Sequence, residues 1–184
     1  MDTTELHRAG SWRFDQLADL PDDGRRYEVV DGLLVVSPPP SPRHQFVAAA
    51  LIRQLDRQNP GGWHVLHELA LPMGADGRVP DVAVVSADAP CMGEAPLEPA
   101  HFGLVIEVVS PSSRKTDRFA KPGEYAEADI PLYWRVETDP ALLLVAYRLL
   151  SGTYEQVAAV DHIGSAPVPW GEATLDLDAI RGAG

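Results

Sequence analysis

Gly103-Leu104-Val105-Ile106-Glu107-Val108-Val109-Ser110-Pro111, then polar Ser112 to Asp117, then Phe119 to Ala128, then Ile130-Pro131-Leu132-Tyr133-Trp134 is the stretch that decides the fold. It reads as a buried strand ending in a carboxylate, a polar loop, a short helix and a second buried strand. The carboxylate is the anomaly. Glu107 interrupts an apolar run, where an ionised group costs several kcal/mol unless it is paired or binds a metal.

The 184 residues favour one domain, 1–184, with its core at about 25–140. With 45% hydrophobic and 23% charged residues, the chain has an ordinary soluble globular composition. No apolar run reaches the roughly 18 residues that cross a bilayer, so no membrane association is expected. Met1 to Glu5 lacks the basic-then-apolar order of a signal peptide. A single cysteine, Cys91, fits a reducing cytoplasm, reads as inert, and excludes zinc sites built from clustered cysteines. The net charge of −12, with 15 basic residues, weighs against a passive nucleic-acid binder. An obligate dimer or a metal-dependent site tolerates an acidic surface better.

Outward from the deciding stretch, Ser11 to Leu20 reads as a short amphipathic helix with Trp12, Leu17 and Leu20 on its apolar side. Tyr27 to Val30 and Leu33 to Val36 flank Asp31-Gly32, the pair favoured in two-residue hairpin turns. Ser41-Pro42 reads as an N-cap and first helical residue, opening a helix over 42–58. Strands are expected over 63–71, 79–85, 103–109 and 130–134, with a turn over 73–78 and a loop with a helical turn over 86–101. The pairs 142–149 and 153–159, then 171–177, extend the antiparallel part. The fold class is mixed α/β (α+β) with an N-terminal β-hairpin and C-terminal antiparallel strands, not a repeating βα barrel. A homodimer is expected, with the hairpin and the late strands offering edges.

Asp81, after Pro80, and Glu107 stand 26 residues apart on consecutive strands. Two such carboxylates side by side repel, and a hard divalent cation, Mg²⁺ or Mn²⁺, resolves both the repulsion and the burial. The backbone carbonyl of Val108 is a candidate further oxygen. Such a metal activates water and neutralises charge on a phosphate, and a nearby lysine stabilises the transition state.

Tyr27 to Gly32, Ser37 to His44, Val79-Pro80-Asp81-Val82, Ile106 to Ser112, Asp117 with Lys121 and Tyr125, and Pro131 to Trp134 together resemble the PD-(D/E)XK nuclease superfamily. The wider pattern resembles one branch, a putative restriction endonuclease family of unknown function. The resemblance implies a restriction endonuclease-like mixed sheet flanked by helices, DNA as partner, and metal-dependent phosphodiester hydrolysis, with Asp81 and Glu107 as metal ligands. The superfamily's usual lysine position, two residues after the acid, is Val109 here. In the resembling branch the lysine moves to the following helix, where Lys121 is the match, with Tyr125 at i+4 on the same face. Pro122-Gly123 after Lys121 is unfavourable inside a helix and limits its reach, so Arg114, Lys115 and Arg118 are substitutes.

Glu28 and His44 complete the candidate site, Glu28 as a metal or lysine partner and His44 as a substrate contact or acid/base. Plainer readings stand beside each. Asp81 caps a turn or pairs with Arg78, Glu107 pairs with an arginine, Lys121 is a solvated helix lysine, Glu28 faces solvent, and His44 bonds the helix backbone. Tyr133 and Trp134 read as core. A non-catalytic interaction or regulatory module on the same fold is the alternative function. A small phosphorylated molecule is a weaker substrate reading.

Overall fold

The computed structural model describes residues 5–7, 11–90, 97–110 and 116–182. The elements in chain order are β1 (Glu5–His7), a 3₁₀ turn (Phe14–Asp19), β2 (Arg26–Val30), β3 (Leu33–Ser37) and α1 (Pro42–Gln58). Then follow β4 (Trp63–His67), β5 (Leu71–Met73), β6 (Asp76–Arg78), β7 (Val82–Ser86) and β8 (Phe102–Val109). A π-helical turn (Thr116–Ala120) runs directly into α2 (Lys121–Glu127). The chain closes with β9 (Leu132–Glu137), β10 (Leu143–Leu150), β11 (Thr153–Val160), β12 (Ile163–Val168), β13 (Gly171–Asp176) and α3 (Leu177–Arg181).

The central sheet has the order β11-β10-β9-β8-β7-β4. Only β8 and β9 are parallel in it, because α2 crosses between them. Both faces are covered, so β8 is buried at every position. Leu104, Ile106 and Val108 join the cluster under α1, β13 and α3. Val105 joins Tyr125 and Tyr133 in the cluster on the other face. By strand alternation Glu107 belongs to that second face, beneath α2.

A second sheet, β1-β3-β2-β6-β5, stands over the carboxyl end of β8. Its hairpin turns at Asp31 and Gly32 with φ of 51° and 69°, as Asp-Gly predicts. The expected helix 42–58 is found to the residue, and Ser41 accepts a hydrogen bond from His44 N. Among the described residues no helix is long and apolar enough to cross a membrane.

Several expectations need correction. The segment 63–71 is two strands, broken where Glu68 takes φ 48°. The expected turn 73–78 contains β6, which pairs with β5 and with Val29 of β2. Ser11 to Leu20 forms only a 3₁₀ turn with no fully buried side chain. The strand over 171–177 ends at Asp176, whose carboxylate caps α3 by accepting from Ala179 N. The hairpin offers no edge for pairing, since β3 pairs with β1 and β2 with β6.

Gly77 shows how tightly the second sheet packs. A Cβ there would lie 1.9 Å from Phe14 Cδ2. Gly77→Ala is therefore expected to cost about 1–3 kcal/mol, read as a lowered urea midpoint. A midpoint equal to wild type would mean that Phe14 has room to turn away.

Candidate active site

Strand β8 brings Glu107 to the floor of a cavity of about 730 Å³ walled by the hairpin, Pro38 to Pro40 and α2. Asp81, just before β7, reaches the same floor because Val82 pairs with Ile106. Both carboxylates are 1% exposed. Asp81 Oδ2 accepts from Val108 N at 2.7 Å and lies 3.0 Å from His44 Nε2. Its Oδ1 accepts from Arg26 Nη2 at 2.7 Å. Burial pushes Asp81 up, but the His44 hydrogen bond and the Arg26 charge outweigh it and hold this carboxylate well below its usual range.

Lys121 does reach the site. Its Nζ lies 2.8 Å from Glu107 Oε2 and 3.0 Å from Asp117 Oδ1. The π turn explains why Pro122 is no obstacle. A proline cannot donate to the preceding turn and its ring crowds that turn's carbonyl, so a wider turn suits it. Pro122 then falls at the second residue of α2, directly after the π turn. Burial disfavours the ammonium, yet Glu107, Asp117, Glu28 and Asp81 raise its pKa well above the ordinary lysine value. Tyr125, one turn on, donates its hydroxyl to Glu107 Oε1.

Glu107 behaves differently from Asp81. Burial pushes it up to about 8; Lys121 opposes this, while Asp81 and Asp117 add to it. Both partners of the Lys121–Glu107 pair are raised because one ammonium is shared by two carboxylates and neutralises neither fully.

Glu28 faces this cavity and not solvent. It accepts from Val79 N at 3.0 Å and from Arg78 Nη1 at 3.2 Å. Burial raises it, but Lys121, Arg78 and the Val79 N–H prevail and lower its pKa. Arg78 also grips Glu124 of α2 through Nε and Nη2 at 2.7 and 2.8 Å. The expected alternative of an Asp81–Arg78 pair is not what forms, since Asp81 takes Arg26. Val108 meets Asp81 through its N–H; a role for its carbonyl remains a proposal. Arg118 points away to Glu137, at 2.9 Å. Arg114, Lys115 and Cys91 lie outside the described residues. Tyr133 and Trp134 are core, as expected.

Sequence reasoning missed Arg26, Arg78, Glu124 and the role of Asp117. Arg26 shares a strand face with Glu28 by the two-residue period, and Asp117 stands at i−4 from Lys121, so signals existed for two of them.

Does this set suit a hard cation? The cavity lining pairs three cations, Arg26, Arg78 and Lys121, with six carboxylates: Glu28, Asp31, Asp81, Glu107, Asp117 and Glu124. Asp117 Oδ1 is buried, with Lys121 Nζ at 3.0 Å, an ammonium it shares with Glu107. Surplus carboxylate oxygen and a Glu107 short of positive charge both fit Mg²⁺ or Mn²⁺. Among the described residues no three His, Cys, Asp or Glu side chains are arranged as a metal cluster. An ion held by Asp81 and Glu107 would therefore complete its shell with water or substrate oxygens, as Mg²⁺ commonly does.

The architecture is that of a restriction endonuclease-like fold: a mixed sheet with a crossover helix and buried acids at its strand ends. The chain belongs to the family Uma2, described as "Putative restriction endonuclease", whose model matches residues 14–173. In structure it is similar to a putative nuclease belonging to DUF820 from Anabaena variabilis ATCC 29413. That match has a TM-score of 0.67 and 18% identity and covers 92% of this chain and 97% of the other. At that identity the likeness speaks for the fold. No curated protein matches the chain in sequence.

Proposed function

We propose that this protein is a metal-dependent endonuclease that hydrolyses DNA phosphodiester bonds. The observation that supports this most is the convergence of Asp81, Glu107 and Lys121 on one cavity floor where carboxylates outnumber cations. Asp81 and Glu107 would hold Mg²⁺ or Mn²⁺, which supplies a nucleophilic water and neutralises charge on the phosphate. Lys121 is held protonated by its carboxylate neighbours. It therefore acts as a fixed positive charge toward the developing phosphorane, and not as a base. Tyr125 orients Glu107, and Arg78 ties β6 to α2, which carries Lys121.

Plasmid nicking with Mg²⁺ and with Mn²⁺ is the test. Wild type is expected to cut, and Asp81→Asn, Glu107→Gln and Lys121→Met to lose about 100-fold or more in rate. Cutting by Asp81→Asn at the wild-type rate would sink the reading.

A second reading is a non-catalytic interaction or regulatory module. The acidic excess of the cavity favours it, because the three cations lining it are already ion-paired. It predicts partner binding without turnover. A homodimer would have to use another edge than the hairpin, and β11, at the end of the central sheet, is the one we propose.

A further inference from the structure

Arg26 holds Asp81 in a way that bears on how the site takes up a cation. Its Nη2 donates to Asp81 Oδ1 at 2.7 Å and to Glu68 Oε1 at 2.6 Å. Asp81 Oδ2 is already engaged twice, by Val108 N–H and by His44. Oδ1 is therefore the oxygen with a lone pair to offer, and Arg26 sits on it. Arg26 is nearly buried, with its side chain 16% exposed, while Glu68 is more open to solvent, at 34%. The clasp is built from distant segments: β2 carries Arg26, Glu68 follows β4 and Asp81 precedes β7, with Glu68 N donating to Asp81 O at 3.2 Å.

We infer that Arg26 is a displaceable counter-ion that competes with the divalent cation for Asp81, and that Glu68 is the partner that retains Arg26 when it lets go. The inference rests on the cation site proposed above. A guanidinium and a divalent cation cannot both take Asp81 Oδ1 closely without strong mutual repulsion. With Glu68 at hand, Arg26 keeps one charged hydrogen bond after displacement, so the exchange does not leave a buried guanidinium unpaired. Lys121 plays no such part, because both of its partners are 1% exposed and it has no outer carboxylate to withdraw to.

The two sides of the clasp then have opposite effects. Removing the competitor strengthens cation binding, and removing its alternative partner weakens it. A purely structural clasp would weaken binding from either side.

Isothermal calorimetry with MnCl₂ on the whole chain tests this without reading activity, and urea midpoints report folding. Arg26→Gln is expected to bind Mn²⁺ about tenfold more tightly than wild type and Glu68→Gln about tenfold more weakly. Arg26→Lys, which keeps the charge, should stay within about threefold of wild type. Weaker or unchanged binding by Arg26→Gln, with wild type binding normally, overturns this inference and leaves the cation site standing. No Mn²⁺ binding by wild type or Arg26→Gln at millimolar metal overturns both.

Discussion

Lys121→Met is expected to destabilise the protein by about 3–5 kcal/mol at pH 9 and by clearly less at pH 6. The ammonium lies between Glu107 and Asp117, both 1% exposed. Without it, two carboxylates share a buried space with no cation between them. Their escape is to take up a proton, and Glu107, already pushed up to about 8 by burial and by neighbouring Asp81 and Asp117, is the group that takes it. At pH 6 the proton is cheap and the loss shrinks. At pH 9 it is costly and the full loss shows. The double variant Lys121→Met with Glu107→Gln removes one carboxylate with the cation and should recover most of the stability, a coupling that a double-mutant cycle measures. Urea unfolding in EDTA at both pH values decides it. A loss below about 1 kcal/mol at pH 9 would mean that solvent, and not Lys121, neutralises the two acids.

Much of this site was legible before the structure because its acids break local rules. Glu107 stands out in a strand that is otherwise apolar on both faces, and Asp81 follows a proline at a strand start. The helix 42–58 was legible from Ser41-Pro42 alone, since capping is a local signal. The placement of Lys121 was harder to read. Pro122-Gly123 looks like a helix break, and a π turn leaves no periodicity to detect in five residues. Arg26 was hidden for another reason: its partner Asp81 is 55 residues away, just before a strand of a different sheet. Strand β12, not among the expected strands, carries Pro167 in its interior, tolerated because β12 lies in a two-stranded sheet. Local rules thus mark the anomalies, and the counter-ions that make them tolerable come from pairings between distant segments.

Glu107→Gln should separate stability from function. The folded pKa of Glu107, about 8, is raised above the ordinary glutamate value of 4.5. The folded chain therefore binds a proton that the unfolded chain releases, across the window between these values. Its stabilisation is fully present below the unfolded pKa and is lost as pH rises through the folded one, up to about 5 kcal/mol. Asp81 has the opposite sign: its depressed pKa gives stability above the ordinary aspartate range that is lost only in acid, so it is constant across this window. In EDTA, wild type should lose stability from pH 6 to pH 9 and Glu107→Gln should not, leaving the variant the more stable of the two at pH 9. Added Mn²⁺ at pH 8 should raise the melting temperature of wild type and leave that of the variant unmoved, since an ion that binds only the folded state stabilises it by mass action. If Glu107→Gln were less stable than wild type at pH 9 in EDTA, the carboxylate would be adequately neutralised by Lys121 and Tyr125. The site would then have no shortage of positive charge for a divalent ion to relieve. If the variant is the more stable, the chain carries at position 107 a group that weakens its own fold near neutral pH, which makes sense for a residue whose remaining charge partner arrives from solution.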